Sequence, residues 1–312
     1  MSLKVLSGSS HPKLAERVAA ALGLEPVRRV LERFPDSELH LELQESVRGD
    51  DVYVLQPTSP PVDEHLLELL LMADACRRAG AGRLTAVLPY FGYARQDRRA
   101  RGREPVSARL VCDLIAACGY RRLVAVDLHS RAIETALTIP LEHLSAVPIL
   151  AEAVRPSISS DAVVVSPDLG AVKMAERYAA FLDLPVAIAH KTRISGTEVS
   201  VRRIVGEVRG REVLLVDDMI STGGTLEKAI EALLDAGCSP HGIKVAASHA
   251  LLAGPAARLL GKLPVEKIYT CDSVSVAAGF PVPIQISPLA PLLAEALRRL
   301  HNEESLAGLV NP

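Results

Sequence analysis

Apolar residues occur in short continuous runs that alternate with stretches of helical periodicity. A short apolar run between turn residues predicts a buried strand, and apolar residues three and four positions apart predict an amphipathic helix. The predicted strands are 3–6, 27–34, 52–56, 83–88, 123–126, 162–165, 186–189, 213–217 and 243–248, with a further helix–strand pair through residue 268. The predicted helices are 13–22, 63–79, 106–118, 147–154, 171–181, the stretch after Thr225, and 289–300.

This alternation predicts an α/β fold. Strands that alternate with helices form mainly parallel sheets flanked by helices, and strands without polar alternation are covered on both faces. The chain divides into two tandem domains, 1–145 and 146–312, and the last helix, 289–301, is a candidate for packing back on the first domain. In such folds ligands bind at the carboxyl ends of the strands.

Composition narrows the class of protein. A chain of 312 residues that is 49% hydrophobic can bury a large core. A net charge of −2, 3% aromatic residues and no tryptophan argue against nucleic-acid binding. The five scattered cysteines form no CxxC pair and favour a reducing compartment. The amino-terminal sequence lacks a long apolar run, so we expect a cytoplasmic protein with no signal peptide and no membrane span.

The segment Val213–Thr225, VLLVDDMISTGGT, has the pattern of a phosphate site. A short apolar strand ends in Asp217 and Asp218, and a loop of hydroxyl residues and glycines opens the next helix. Glycines let backbone N–H groups approach an anion, and the start of a helix carries partial positive charge. The two carboxylates can accept hydrogen bonds from sugar hydroxyls or face a divalent ion. The segment therefore predicts a phosphorylated-sugar site formed by Ser221, Thr222, Gly223, Gly224 and Thr225; a tight turn with solvated aspartates is the alternative.

Two clusters in the first half are candidates for nucleotide binding. Five arginines lie within 95–103, after the aromatic residues of PYFGY at 89–93, and such a loop can bind polyphosphate and sandwich a base. A solvated surface loop or a subunit contact would have the same composition. In the segment Arg33–Glu38, Phe34 can stack on a purine while Asp36 and Glu38 accept from an exocyclic amine. A capping turn is the alternative there.

Two further pairs are candidates for catalytic chemistry. His129 and Asp168 each follow a predicted strand, and a histidine with a carboxylate suits a magnesium-nucleotide. The alternatives are a buried histidine and a helix N-cap. Lys191 and Arg193 lie on a predicted loop with Gly196 as a possible hinge, where two cations could stabilise a transferring phosphoryl group, or be ordinary surface charge. The other histidines have no metal-ligand spacing and are interpreted as structural or surface residues.

Together these strings resemble the ribose-phosphate pyrophosphokinase family, over nearly the whole chain. The strings are RFPDSE at 33–38, PYFGYARQDRR at 89–99, VDLHS at 126–130, VVSPDLGAV at 164–172, HKTRISGTEVS at 190–200, VLLVDDMISTGGT at 213–225 and NEES at 302–305. The resemblance implies two phosphoribosyltransferase-like domains and the Mg²⁺-dependent transfer of the pyrophosphoryl group of ATP to the 1-hydroxyl of ribose 5-phosphate. It also implies a homo-oligomer, often a hexamer, in which the Arg33–Glu38 segment serves a neighbouring subunit's site.

The resemblance also implies roles for individual residues. Phe34, Asp36, Ser37, Glu38, Arg95 and Gln96 would bind ATP, and His129 and Asp168 would coordinate Mg²⁺. Lys191 and Arg193 would stabilise the transition state. Arg193, Asp217, Asp218, Ser221, Thr222, Gly223, Gly224 and Thr225 would bind ribose 5-phosphate.

The chain departs from the usual family pattern at two of these positions. Glycine is usual where Ser37 stands, and many bacterial members have aspartate where Ser221 stands. Two rival functions share parts of the pattern. A phosphoribosyltransferase has the acidic-pair loop but consumes phosphoribosyl pyrophosphate, and a catalytically silent associated protein would have lost parts of the site.

Overall fold

A computed structural model describes residues 1–99, 101–193 and 200–310, and of 191–193 and 200–202 it describes the backbone alone. The chain forms two compact units. The first unit comprises Met1–Ser145, Ser273–Ser275 and Pro288–Pro312, and the second comprises Ala146–Asp272 and Val276–Ser287. Each unit has its own mainly parallel sheet and its own apolar core, so the predicted fold class is confirmed. Within the described ranges, no helix is long and apolar enough to cross a membrane.

The secondary structure follows the predicted alternation of strands and helices. The strands are β1 (Leu3–Ser7), β2 (Arg29–Arg33), β3 (Leu39–Leu43), β4 (Asp51–Leu55), β5 (Arg83–Leu88), β6 (Arg122–Val126), β7 (Leu141–Leu144), β8 (Val163–Ser166), β9 (Val186–Arg193), β10 (Ser200–Val205), β11 (Val213–Ile220), β12 (Ile243–Ala250), β13 (Val265–Cys271) and β14 (Ile284–Ser287). The helices are α1 (Pro12–Ala21), α2 (Val62–Arg78), α3 (Ser107–Ala117), α4 (Ala132–Ala136), α5 (Val147–Val154), α6 (Val172–Leu182), α7 (Gly224–Asp235), α8 (Ala256–Leu260) and α9 (Ala290–His301).

The first unit is built on a parallel sheet with strand order β1-β4-β5-β6-β7. Strand β4 is buried along its whole length, as is β5 apart from its first residue, which is why both consist largely of apolar residues. Leu69, Met72 and Cys76 of α2 pack with these strands in one core. The carboxyl ends of the strands therefore present the segments after β1, β4, β5 and β6 at one edge of the sheet.

A separate antiparallel hairpin, β2–β3, belongs to the first unit. Its first residue, Arg29, donates to the backbone oxygens of Ser7 and Gly8 at the end of β1. These bonds link the base of the hairpin to the carboxyl end of β1 in the five-stranded sheet. The turn of the hairpin carries residues 34–38, which the sequence associates with nucleotide binding.

The last helix, α9, packs on α1 and is part of the first unit. Its final residue, His301, places Nδ1 2.9 Å from Oδ2 of Asp51, which begins β4. Oδ2 of the buried Asp51 also accepts from Arg83 Nη2 at 2.5 Å and from Tyr53 OH at 3.1 Å. This network lies at the amino ends of β4 and β5, so it is a structural connection at the edge opposite the carboxyl ends of the strands.

The second unit contains a larger sheet with strand order β10-β9-β8-β11-β12-β13-β14. Every neighbouring pair is parallel except β9 with β10. Strand β11 lies at the centre between β8 and β12. Its position places the loop that follows it, Ser221–Thr225, at the middle of the carboxyl edge of the sheet.

The structure corrects several predicted boundaries. The strand predicted to end at 189 continues as β9 through Arg193, so Lys191 and Arg193 have strand backbone instead of loop backbone. Residues 194–199, including Gly196, lie outside the described residues, and Ser200 begins β10. Strand β11 extends past Asp217 to Ile220 because Met219 and Ile220 pair with β12. Four short strands were missed: β3, β7, β10 and β14.

Candidate functional site

The loop that the sequence predicts as a phosphate site starts where β11 ends, at Ser221. Gly223 has φ +83° and is the N-cap of α7, where it offers no side chain to the first helical N–H groups. A Cβ at this position would lie 3.3 Å from Leu260 Cγ. The left-handed backbone favours glycine, and the close packing leaves little room for a side chain. The loop therefore presents the start of a twelve-residue helix to solvent with no side-chain cap, which suits an anion.

The loop is supported from behind by the segment that follows β12. The amide of Leu252 donates to the oxygen of Ile220 at 3.0 Å, and the amide of Ala253 donates to the oxygen of Ser221 at 2.9 Å. These bonds fix the backbone just before Thr222 and Gly223. The exposed Thr222 and Thr225 and the partly exposed Ser221 add hydroxyl groups around the start of α7.

Asp217 and Asp218 form an acidic pair on β11, separated from this loop by Met219 and Ile220. The Asp218 amide donates to Asp217 Oδ1 at 3.0 Å. Desolvation raises the pKa of Asp217 well above its ordinary value, and the neighbouring charges of Asp218 and then Asp168 raise it further. Both side chains keep partial exposure to solvent. A cation or a set of hydroxyl donors at this position would relieve the repulsion between the carboxylates.

Asp168 follows β8 in the same unit and is exposed. Its Oδ1 accepts from the amides of Gly170 at 2.8 Å and Ala171 at 3.3 Å, and its backbone oxygen accepts from Ser166 Oγ at 2.6 Å. The carboxylate therefore organises the turn before α6 but is not the N-cap that the sequence left open as an alternative, since the N-cap is Ala171. Its charge still acts on Asp217, so the second unit gathers three carboxylates at one sheet edge.

In the first unit, the hairpin turn presents Phe34 to solvent. The ring is 46% exposed and lies 5.1 Å from the ring of His40, centroid to centroid. Asp36 Oδ1 accepts from the Glu38 amide at 3.1 Å, so this carboxylate shapes the turn as well as facing solvent. Ser37 has φ +75°, a conformation in which glycine is unstrained. An exposed aromatic ring on a bonded turn remains suited to stacking on a base.

The arginine-rich loop after β5 differs from its prediction in one respect. Tyr90 and Phe91 are buried, and Tyr93 donates its hydroxyl to Asp63, so these rings are not presented as a sandwich for a base. Arg95, Arg98, Arg99, Arg101 and Arg103 are exposed, in keeping with polyphosphate binding. Gln96 is exposed in the same loop, and its Oε1 accepts at 2.6 Å from Oγ of Ser107, the first residue of α3.

His129 is exposed in the segment that follows β6, at the carboxyl edge of the sheet of the first unit. The backbones of Lys191 and Arg193 lie on β9 in the second unit, and their side chains are outside what the structure describes. No cluster of three histidine, cysteine or acidic residues that could hold a metal occurs within the described part of the chain. Magnesium usually takes one or two protein carboxylates and completes its shell with water and phosphate. Asp218 and Asp168, whose charges act on Asp217, are carboxylate ligands of the kind that such an ion takes.

Sequence reasoning missed a buried polar network behind the turn after β1. Glu68, 4% exposed, accepts from Ser9 Oγ at 2.6 Å, from the Ser9 amide at 3.0 Å and from Gln56 Nε2 at 2.6 Å. Gln56 Oε1 accepts from Ser10 Oγ at 2.6 Å. This network holds the β1–α1 turn at the carboxyl edge. No sequence signal linked residues so far apart in the chain.

Each unit has a mainly parallel sheet with charged and hydroxyl residues at its carboxyl edge. The second sheet also carries a glycine loop after an acidic pair. These features define an α/β protein of the phosphoribosyl-binding type. Residues 149–286 match the phosphoribosyl transferase domain family, and residues 3–119 match the N-terminal domain of ribose phosphate pyrophosphokinase. The chain belongs to the ribose-phosphate pyrophosphokinase family, as its sequence motifs suggested.

Similarity to individual members extends over almost the full length. The chain is 43% identical over 310 residues to the ribose-phosphate pyrophosphokinase of Caldanaerobacter subterraneus subsp. tengcongensis, covering 99% of this chain and 98% of that protein. It is 41% identical over 309 residues to that of Gloeobacter violaceus, covering 98% and 92%. A crystal structure of phosphoribosylpyrophosphate synthetase from Mycobacterium smegmatis superposes with a TM-score of 0.90 at 37% identity, covering 97% of this chain and 100% of the other.

Proposed function

We propose that this protein transfers the pyrophosphoryl group of ATP to the 1-hydroxyl of ribose 5-phosphate, yielding 5-phosphoribosyl 1-pyrophosphate and AMP for nucleotide biosynthesis. The observation that carries the proposal is the full-length match, which includes both the unit with the glycine loop and the unit with the arginine-rich loop. A protein with the second unit alone would leave synthesis and consumption of the product equally supported.

The second unit is the proposed acceptor half. The backbone of Ser221–Thr225 and the start of α7 bind the 5-phosphate, since uncapped helical N–H groups and glycine give an anion close access. Asp217 and Asp218 accept from the ribose hydroxyls. In the same proposal, Arg193 binds the phosphate of ribose 5-phosphate and also takes part in catalysis.

The first unit is the proposed donor half. Phe34 stacks on adenine, supported by its exposure on the hairpin turn. Asp36, Ser37 and Glu38 provide polar contacts to the nucleotide, and Arg95 and Gln96 contribute from the exposed loop. Because Tyr90 and Phe91 are buried and their rings cannot reach a bound base, base stacking depends on Phe34.

Positioning and charge stabilisation dominate the proposed chemistry. The sugar hydroxyl must lie in line with the departing AMP oxygen, and charge develops on the phosphoryl oxygens. We assign the stabilisation of that charge to Lys191 and Arg193. His129 and Asp168 are the proposed ligands of Mg²⁺, which when bound would neutralise phosphate charge.

The test is to incubate the purified protein with ATP, ribose 5-phosphate and Mg²⁺ and to separate the products by ion-exchange chromatography. We expect AMP and phosphoribosyl pyrophosphate in equal amounts, with no AMP when ribose 5-phosphate is omitted. Absence of AMP under these conditions would reject the synthetase in favour of a phosphoribosyltransferase or a silent associated protein. We also propose that the protein is a homo-oligomer, a hexamer, and that it is located in the cytoplasm. Size-exclusion chromatography with light scattering tests the oligomeric state.

A further inference from the structure

The segment that carries His129 begins with an unusual backbone conformation. Asp127, directly after β6, is 1% exposed and has φ +37°. A non-glycine residue with positive φ needs surrounding bonds to hold it there. The exact path of the backbone at this residue decides where the exposed imidazole of His129, two positions later, is directed.

The edge strand β7 supplies bonds to this backbone from one side. The Asp127 amide donates to the oxygen of Leu144 at 3.1 Å, and Ser145 Oγ donates to Asp127 Oδ1 at 2.9 Å. Both bonds fix Asp127 itself. They leave the next residue, Leu128, to be fixed by another group.

That group is His143 on β7. The Leu128 amide donates to His143 Nε2 at 2.8 Å, and His143 Nδ1 lies 2.9 Å from Glu134 Oε1 on α4. Since Nε2 must offer its lone pair to an N–H, the neutral ring carries its proton on Nδ1 and donates it to the carboxylate. The imidazole is 7% exposed, so water has little access to its ring nitrogens.

We propose that His143 is a positioning residue that acts through Leu128 on His129, with Glu134 fixing the required tautomer. The inference rests on the proposed function, in which His129 contributes to the binding of Mg²⁺ with ATP. The arrangement is a chain of three bonded groups, from carboxylate to imidazole to backbone amide, that ends one residue before the proposed ligand. Groups that orient a ligand in this way typically change metal affinity or activity by about 10–100-fold when removed.

The same strand offers a matched control. Glu142 precedes His143 on β7, and its carboxylate pairs with Arg122 on β6. Substitution of Glu142 by Gln perturbs the β6–β7 edge without touching the bonds to Asp127 or Leu128. The comparison separates loss of strand stability from loss of loop position.

The experiment compares the wild type with His143→Leu, His143→Gln and Glu142→Gln. Gln keeps an oxygen that can accept from the Leu128 amide, whereas Leu fills the volume without an acceptor. For each protein, Mn²⁺ binding in the presence of a non-hydrolysable ATP analogue is followed by electron paramagnetic resonance, and kcat and KM for ATP and for ribose 5-phosphate are measured. The tautomer of His143 is read from ¹⁵N spectra of histidine-labelled protein, with His143→Gln used for assignment.

We expect His143→Leu to weaken Mn²⁺–nucleotide binding and to raise KM for ATP by about 10–100-fold, while KM for ribose 5-phosphate stays within about twofold. His143→Gln should recover most of the loss, Glu142→Gln should resemble the wild type, and the wild-type ring should be protonated on Nδ1. Equal effects of His143→Leu and Glu142→Gln, failure of Gln to restore binding, or a proton on Nε2 would each overturn the proposal. If His143→Leu does not fold, the Gln variant and the tautomer still decide it. If the wild-type protein makes no AMP, the proposed function is rejected. The tautomer of His143 is measured without turnover, so that result can be told apart from a failure of the positioning role.

Discussion

At the scale of single residues, Gly223 combines a left-handed backbone with a neighbour that leaves little room for a side chain. We expect Gly223→Ala to raise KM for ribose 5-phosphate by roughly 10–100-fold, because a shift of about an ångström in the loop misplaces its N–H groups. The control is Gly210→Ala, since Gly210 has φ +72° with no atom near the added Cβ and lies before the amino end of β11. Equal changes of KM in the two variants would contradict the role of the loop.

Lys191 is the residue on which the proposed catalytic step depends most. We expect Lys191→Ala to lower kcat by roughly 10²–10³-fold, the effect of removing one preorganised group that stabilises transition-state charge. The matched control is Lys262→Ala, an exposed lysine after α8. Steady-state AMP release measures both variants, and near-normal turnover of Lys191→Ala would remove the residue from the mechanism.

At the scale of elements, the Asp51 network connects β4, β5 and α9. Burial pushes the pKa of Asp51 upward, but hydrogen bonds from Arg83 and His301 and the charge of Arg83 outweigh it, so the pKa lies below its ordinary value. The ionised carboxylate therefore stabilises the folded state above the unfolded pKa of about 4. That contribution is lost as pH falls from there through the lower folded pKa.

We expect Asp51→Asn to reduce the free energy of unfolding at pH 7 by about 1–3 kcal/mol, the range for hydrogen bonds to a charged group. The difference from wild type should shrink as the pH falls below about 4. Urea unfolding at several pH values measures this. Asp74→Asn is the control, because Asp74 pairs with Arg77 and Arg78 at the surface, where ion pairs contribute little. A difference between Asp51→Asn and wild type that is constant from pH 3 to pH 7 would contradict the assignment.

The elements also show what the sequence could predict. Strand β5 and helix α5 have the predicted bounds, since burial on both strand faces and one apolar helix face leave clear patterns. Strand β3, LHLEL, carries a charge and pairs only in a hairpin, so its sequence lacks an apolar run. The end of β11 and the burial of Phe91 depend on neighbours distant in sequence. Residue type and motif were enough to identify the candidate site residues in the sequence. His143 and Glu68 could not be found in this way, because they act through contacts with residues distant in the sequence.

At the scale of the whole molecule, the cysteines report on both units at once. All five are free, and Cys118 is the one that is not fully buried. Burial raises the pKa of the Cys76 thiol to about 12 and that of Cys112 to about 11, which lowers their reactivity as well as their access. We expect Ellman's reagent to label one thiol per folded chain rapidly and five in denaturant. Fewer than five in denaturant without reductant would indicate a disulfide.

Helix α9 has a consequence for the order in which the protein is made. The first unit is synthesised almost completely by Ser145, yet the helix that covers α1 and pairs with Asp51 follows the second unit in the chain and is synthesised after it. At ordinary elongation rates this interval is roughly 10–30 s. During it the first unit lacks its closing helix while the second is still being translated. Nascent chains are therefore expected to bind chaperones through the uncovered face of α1 until α9 has emerged from the ribosome.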